Sequence, residues 1–389
     1  MWFPNGRDGV LAVRCVKVEA KMRIAGLTKL GANTLTLSGN NAYAGLTIIN
    51  AGTLRLTGAN TYTGGTYVSG TLSINDQPAV NSKNVTLDGG TLLLDNGGTC
   101  PQITVGAGGG TLSNNGTHTG GGHMHFPNDI IGTGNLYYYG WGDDRFNTVG
   151  GRGAFSLSGD FVVMDVQDGM KVGASFPNST LDLRDPVTAG QGNTANPVWG
   201  GLKGTSALAL SDYTGTLSIG NNNKNTIYSG VMSGSLPWAK IGAGTLTLSG
   251  TNTYTGYTTV SNGTLALAAS GSIGNSPAIR IGAGARFDVR AKNSYSMSTN
   301  QTFTFDIDPT GAGSAGRIVA AGLDVAAGKV AFNVVSGTCD DPVYVLADCT
   351  SLTGVRFSSV TGLPAGYAIE YGANRIALVR ASAALLLIR

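Results

Sequence analysis

Lys240-Ile241-Gly242-Ala243-Gly244-Thr245-Leu246-Thr247-Leu248-Ser249-Gly250-Thr251-Asn252-Thr253-Tyr254-Thr255-Gly256 is the stretch that decides the fold. Its centre alternates polar and apolar residues, the period of a strand with one buried face. Leu246 and Leu248 are expected to point inward, and Thr245 and Thr247 outward. Glycines bracket the strand, where a sharp corner needs positive φ or close backbone approach. A turn over Asn252 to Gly256 then leads into a second short strand at Thr258-Thr259-Val260. The same order recurs in Asn60-Thr61-Tyr62-Thr63-Gly64 and in Asn41-Ala42-Tyr43-Ala44-Gly45.

Outward from this stretch the unit repeats. Gly-Thr-Leu, or a near variant, places Thr at 34, 53, 71, 91 and 111, and again at 216, 245 and 264, with Ala285 in the same slot. A single unit cannot bury its apolar face, so stacked units must share one core. Stacking at ~4.8 Å puts like residues on like in ladders along the axis. The Leu-x-x-Leu-x-Leu-x-x-Asn pattern of a leucine-rich repeat is absent. The expected fold is therefore all-β: a right-handed parallel β-helix, or β-solenoid, with coils of about 20 residues. Leu35, Leu54, Leu72, Leu92 and Leu112 are expected in one interior column.

The organisation that follows has an N-terminal segment or edge cap over 1–27, repeats over 28–112, and divergent coils with loop insertions over 113–236. Repeats resume over 237–335. A C-terminal β cap covers 336–380, and a tail covers 381–389. The cap is inferred because solenoid ends need covering and because Pro342 and Pro364 break the rhythm.

Composition narrows the function. The 389 residues include 61 Gly, 41% are hydrophobic and 12% charged, which excludes a disordered chain. The net charge of +3 has no clustered Lys/Arg face, so nucleic acid is not an expected partner. Cys339 and Cys349 could bridge a local hairpin in an oxidising compartment, whereas Cys15 and Cys100 are not paired by sequence. Met1 to Leu27 shows no apolar core of an export signal. Ala381 to Ile388 is too short for a membrane span.

Lys240 to Gly256, with its continuation Thr258 to Leu267, closely resembles the autotransporter-associated, or passenger-associated, β-strand repeat. Leu30 to Leu56 resembles it too, with Asn33 in place of the usual Gly. Val343 to Leu346, Leu363 to Tyr367 and Arg375 to Val379 are similar to the closing segment of such proteins. The similarity spans roughly 28–112 and 227–380. It implies a bacterial passenger that is secreted or displayed at the cell surface, and it implies no catalytic residues. The chain departs from a complete autotransporter in having no C-terminal series of barrel strands.

Chemistry is best sought where the repeat breaks, from about Ser113 to Gly234. His118, His123 and His125 are the weak metal candidates; the last two would share a strand face, against the plainer reading of exposed loop histidines. Tyr137, Tyr139, Trp141, Asp143 and Arg145 combine rings with polar groups, as a carbohydrate surface does, or else cover an irregular coil. Asp144, Asp165 and Asp185 lie 21 and 20 residues apart. Stacked, they would form a carboxylate column able to hold Ca²⁺ or to act as acid and base on a polysaccharide; unstacked, they are turn aspartates. No Ser/His/Asp set, Walker loop or Rossmann fingerprint occurs.

Two functions remain. The leading one is a non-catalytic structural or adhesive solenoid, contacting a polysaccharide or cell-surface glycan and self-associating through solenoid ends. The rival is a β-helical lyase, glycosidase or depolymerase working on the 113–234 face.

Overall fold

The computed structural model describes residues 26–75, 84–95, 98–114, 124–125, 128–141, 155–167, 170–172, 175–310 and 314–381. The described residues are all-β with no helix. The chain divides into two units, Met1–Pro197 and Val198–Arg389.

In the first unit, strands stack in two parallel columns. One runs from Leu27–Lys29 through Thr47–Ile49, Thr66–Val68, Val85–Leu87, Ile103–Val105 and Ile130–Gly132 to Phe155–Leu157. The other begins at Thr34–Leu37, passes through Thr53–Leu56, Thr71–Asn75, Gly90–Asp95 and Gly110–Asn114, and continues through Leu136–Trp141 and Phe161–Gln167 to Phe176–Leu183. Leu35 faces Leu54, then Leu72, Leu92 and Leu112, as the spacing requires. Beyond Leu112 the same interior file is filled by Tyr138, Val163 and Leu183.

The second unit also carries two parallel columns. One runs from Thr226–Tyr228 through Thr245–Leu248, Thr264–Leu267, Arg286–Asp288 and Arg317–Asp324 to Val343–Thr353. The other links Leu217–Ile219, Trp238–Lys240, Thr258–Val260, Ala278–Ile281, Thr302–Asp308, Lys329–Val334 and Ser359–Thr361. Leu246 and Leu248 are buried while Thr245 and Thr247 are half-buried, the alternation expected of a one-sided strand. At the C-terminal end, pairing turns antiparallel: Arg375–Arg380 lies between Val343–Thr353 and Tyr367–Tyr371.

Two positions differ from the repeat alignment. Leu217 faces Trp238, in the other column from Leu246, whose preceding partner is Thr226. Gly215-Thr216-Leu217 thus mimics the motif in a different strand. Arg286 rather than Ala285 is the register partner of Thr264; the corner before it is longer by one residue.

Polar side chains stitch the coils where the motif is most regular. The hydroxyls of Tyr62 and Thr66 are hydrogen-bonded at 2.8 Å, and those of Tyr254 and Thr258 at 2.7 Å. Burial holds both phenols above their ordinary range. Tyr43 and Tyr62 stack with ring centroids 4.9 Å apart. Asn252 accepts from the Met232 amide at 2.8 Å and donates to the Gly250 and Ser272 carbonyls, each at 3.0 Å. The turn Asn is thus a bridge to the coils on either side. Gly52 and Gly263 both hold φ of 64°, and a Cβ at Gly263 would press into the Gly242 carbonyl of the preceding coil. Only glycine fits such a corner.

The expected Cys339–Cys349 bridge is absent: both are free thiols. The Tyr344 hydroxyl accepts from the Asp340 and Asp341 amides beside Cys339, whereas Cys349 lies five residues further along the extended strand. At ~3.3 Å per residue that separation exceeds the ~7 Å limit for a disulfide.

Candidate functional site

The outward face of the second unit's Leu246 column forms a shallow groove of about 540 Å³. Two register rows build it. Thr245, Thr264, Arg286 and Arg317 form one, and Thr247, Ala266, Asp288, Val319 and Asp348 form the other. The apolar partners of these residues, from Leu246 to Phe287 and Ile318, are buried beneath them. Strand alternation therefore fixes which side chains reach the groove.

Its two carboxylates are already committed. Asp288 accepts from Arg290, with Nη2 to Oδ2 at 2.6 Å and Nε to both carboxylate oxygens at 3.1 Å. Partial burial would raise the Asp288 carboxyl, but the bonds from Arg290 and the nearby Arg286 charge outweigh it and hold it below the usual range. Arg317 donates to Asp348 at 3.0 Å. Arg286 is exposed, and its charge bears on Asp288 without a direct ion pair or hydrogen bond among the described residues. The groove thus offers one surplus guanidinium beside the hydroxyls of Thr245, Thr247 and Thr264. This surface escaped the sequence reading because its arginines lie 22 and 31 residues beyond their register mates.

Of the residues singled out by sequence, Tyr137 and Tyr139 are half-buried on the outward face of Leu136–Trp141, with Tyr138 buried between them. They face Val162 and Met164, and Trp141 faces Gln167 across a bulge. Nothing is described of the Trp141 side chain. Asp143, Asp144 and Arg145 lie outside the described residues, as do His118 and His123. His125 belongs to the short strand Met124–His125, which pairs with Gly98–Thr99, and its side chain is not described. Asp165 lies in Phe161–Gln167, and Asp185 is half-buried in the turn after Phe176–Leu183. Between Leu136–Trp141 and Phe161–Gln167 the register offset is 25 to 26 residues, against 21 from Asp144 to Asp165; between Phe161–Gln167 and Phe176–Leu183 it is 20, the spacing of Asp165 and Asp185. Among the described residues, no group of three or more His, Cys, Asp and Glu forms a metal site.

One polar element went unread in the sequence. Lys29 and Lys240 stand in interior files, facing Ile49 and Val260. Each ammonium turns into a cage of corner carbonyls. Lys29 reaches Leu30, Gly31 and Ala51 at 2.6–3.1 Å, and Lys240 reaches Ile241, Gly242 and Asn262 at 2.7–3.3 Å. The third acceptor belongs to the next coil, so the lysine pins one corner to another. Its signal was the shared Lys-x-Gly before each Thr-Leu strand.

A family described as the passenger-associated-transport-repeat matches residues 27–56, 51–74 and 239–267. These are the coils carrying the Asn bridges, the Tyr–Thr bonds and both lysine cages. The chain carries passenger-associated-transport repeats. Two of the three matches overlap in the first unit, and the third covers the strands that lead into the groove. Comparison with curated proteins gives no match. Among the described residues, no helix is long and apolar enough to cross a membrane.

Proposed function

We propose that this chain is an exported β-solenoid passenger, secreted or held at the cell surface, whose role is structural or adhesive rather than catalytic. The observation that carries it is the coincidence of the three passenger-associated matches with in-register parallel coils. Such coils suit an exposed setting. Their stability comes from local stacking with neighbours, and their flanks present threonines such as Thr61, Thr63, Thr253 and Thr255 to solvent.

The experiment is protease shaving of intact source cells, followed by detection of the chain in cells and medium. Release into medium, or digestion without lysis, supports export. Protection until lysis overturns it. Catalysis is tested separately by a reducing-end assay against a panel of polysaccharides. Turnover abolished by Asp165→Asn would replace this reading with the enzymatic one.

A further inference from the structure

We infer that the groove around Arg286 binds a carboxylated saccharide, with the guanidinium taking a sugar carboxylate and the threonine row taking adjacent hydroxyls. Arg286 and Arg317 are direct register partners on neighbouring parallel strands. Like charges set opposite each other destabilise a sheet. Arg317 is offset by Asp348, and Asp288 is occupied by Arg290. Asp288 also feels the Arg286 charge, but three arginines share two carboxylates in the groove, so one positive charge is left for a bound anion to offset.

The chemistry of the groove selects the anion. A guanidinium fork matches a planar carboxylate with two parallel bonds. Asp288 and Asp348 flank the position, so a densely charged polyanion such as a nucleic acid would meet repulsion along its length. A ligand carrying one charge and many hydroxyls meets one cation and three hydroxyls instead. The row Thr245–Thr264–Arg286–Arg317 crosses four strands, a span of about 14 Å at ~4.8 Å per strand, which accommodates a short saccharide lying across the sheet. Aromatic stacking platforms are missing from the residues that line the groove, so charge and hydroxyl contacts must supply the recognition. This inference rests on the second unit alone and stands or falls independently of export.

The test is calorimetric titration of the full chain at low salt with a tetrasaccharide carrying a single glucuronate, its methyl ester, and a peptide carrying a single carboxylate. The acid is expected to bind saturably and the ester not to bind. Arg286→Gln should weaken the acid by about tenfold or more, the scale of one charged hydrogen-bonding contact. Arg286→Lys, which keeps the charge without the fork, should fall between. Arg286→Lys should melt as the parent does, and Arg286→Gln no lower, since Arg286 is exposed and its loss removes the repulsion of Arg317. Absence of binding by the acid, equal binding by the ester, equal or tighter binding by the peptide, or unchanged affinity in Arg286→Gln would each overturn the inference.

Discussion

The coils around Leu246 and those around Tyr138 build the same kind of parallel column by different means. Around Leu246 the interior file is a Leu pair per strand, and the corners are tied by Asn252, Tyr254–Thr258 and the Lys240 cage. Around Tyr138 the core beside the file is filled by large rings from both columns. Phe161 sits 5.2 Å from Phe176 and 5.5 Å from Phe155, and Phe155 meets Phe176 edge-on at 4.4 Å. The first device needs particular side chains at fixed places, because each tie must reach a given amide, carbonyl or hydroxyl at a corner. The second needs only filled volume, so its residue types drift. A solenoid can therefore lose its sequence period without losing its stacking.

The largest expected effect lies in the aromatic region. Phe161→Ala should cost about 3–5 kcal/mol, the range for buried aromatics, measured by chemical denaturation. If it costs no more than a surface change, those rings are not the core of the first unit.

Leu246→Ala should come next at about 2–5 kcal/mol, as for other buried leucines. Its outward neighbour Thr247→Ala should stay within about 0.5 kcal/mol. Equal costs would contradict the in-and-out alternation that defines the motif coils.

The Leu files and their parallel register were legible because period-2 alternation and a near-constant repeat length both survive in the sequence. The slot of Leu217 was not, since a Gly-Thr-Leu triplet can serve either column. Nor was the role of Lys240, because a charged residue inside an apolar file makes sense only once the corner carbonyls come around it. The Tyr137–Trp141 stretch read as a surface, and half of it is: Tyr137 and Tyr139 face outward, while Tyr138 fills the core. The Arg286 groove was hidden because its rows join residues separated by unequal coil lengths, and a fixed period cannot bring them together.

A pH dependence set by the buried Lys240 is expected as well. The carbonyl cage favours the Lys240 ammonium and burial disfavours it; burial wins, lowering Lys240 from 10.5 to about 8. Below pH 8 both folded and unfolded states hold the proton, and the burial penalty is fully present. Between about 8 and 10.5 the folded state sheds the proton first, so stability should rise with pH in that window. Lys240→Met should flatten that rise. Above 10, buried phenols such as Tyr43, raised to about 12 by burial, work in the opposite direction, because the unfolded chain ionises first. An identical pH profile in Lys240→Met would remove the lysine from this account.

The most direct test of the stacked, in-register coils is cysteine cross-linking in a chain whose four native cysteines are replaced. Thr247 and Ala266 are register partners on the outward face, whereas Leu265 beside Ala266 points into the core. Neighbouring parallel strands lie within the ~4.4–6.8 Å Cα separation that a disulfide accepts. Thr247→Cys with Ala266→Cys should cross-link readily under mild oxidation, and Thr247→Cys with Leu265→Cys should not. Equal cross-linking of both pairs, or none in the first, would contradict parallel in-register stacking.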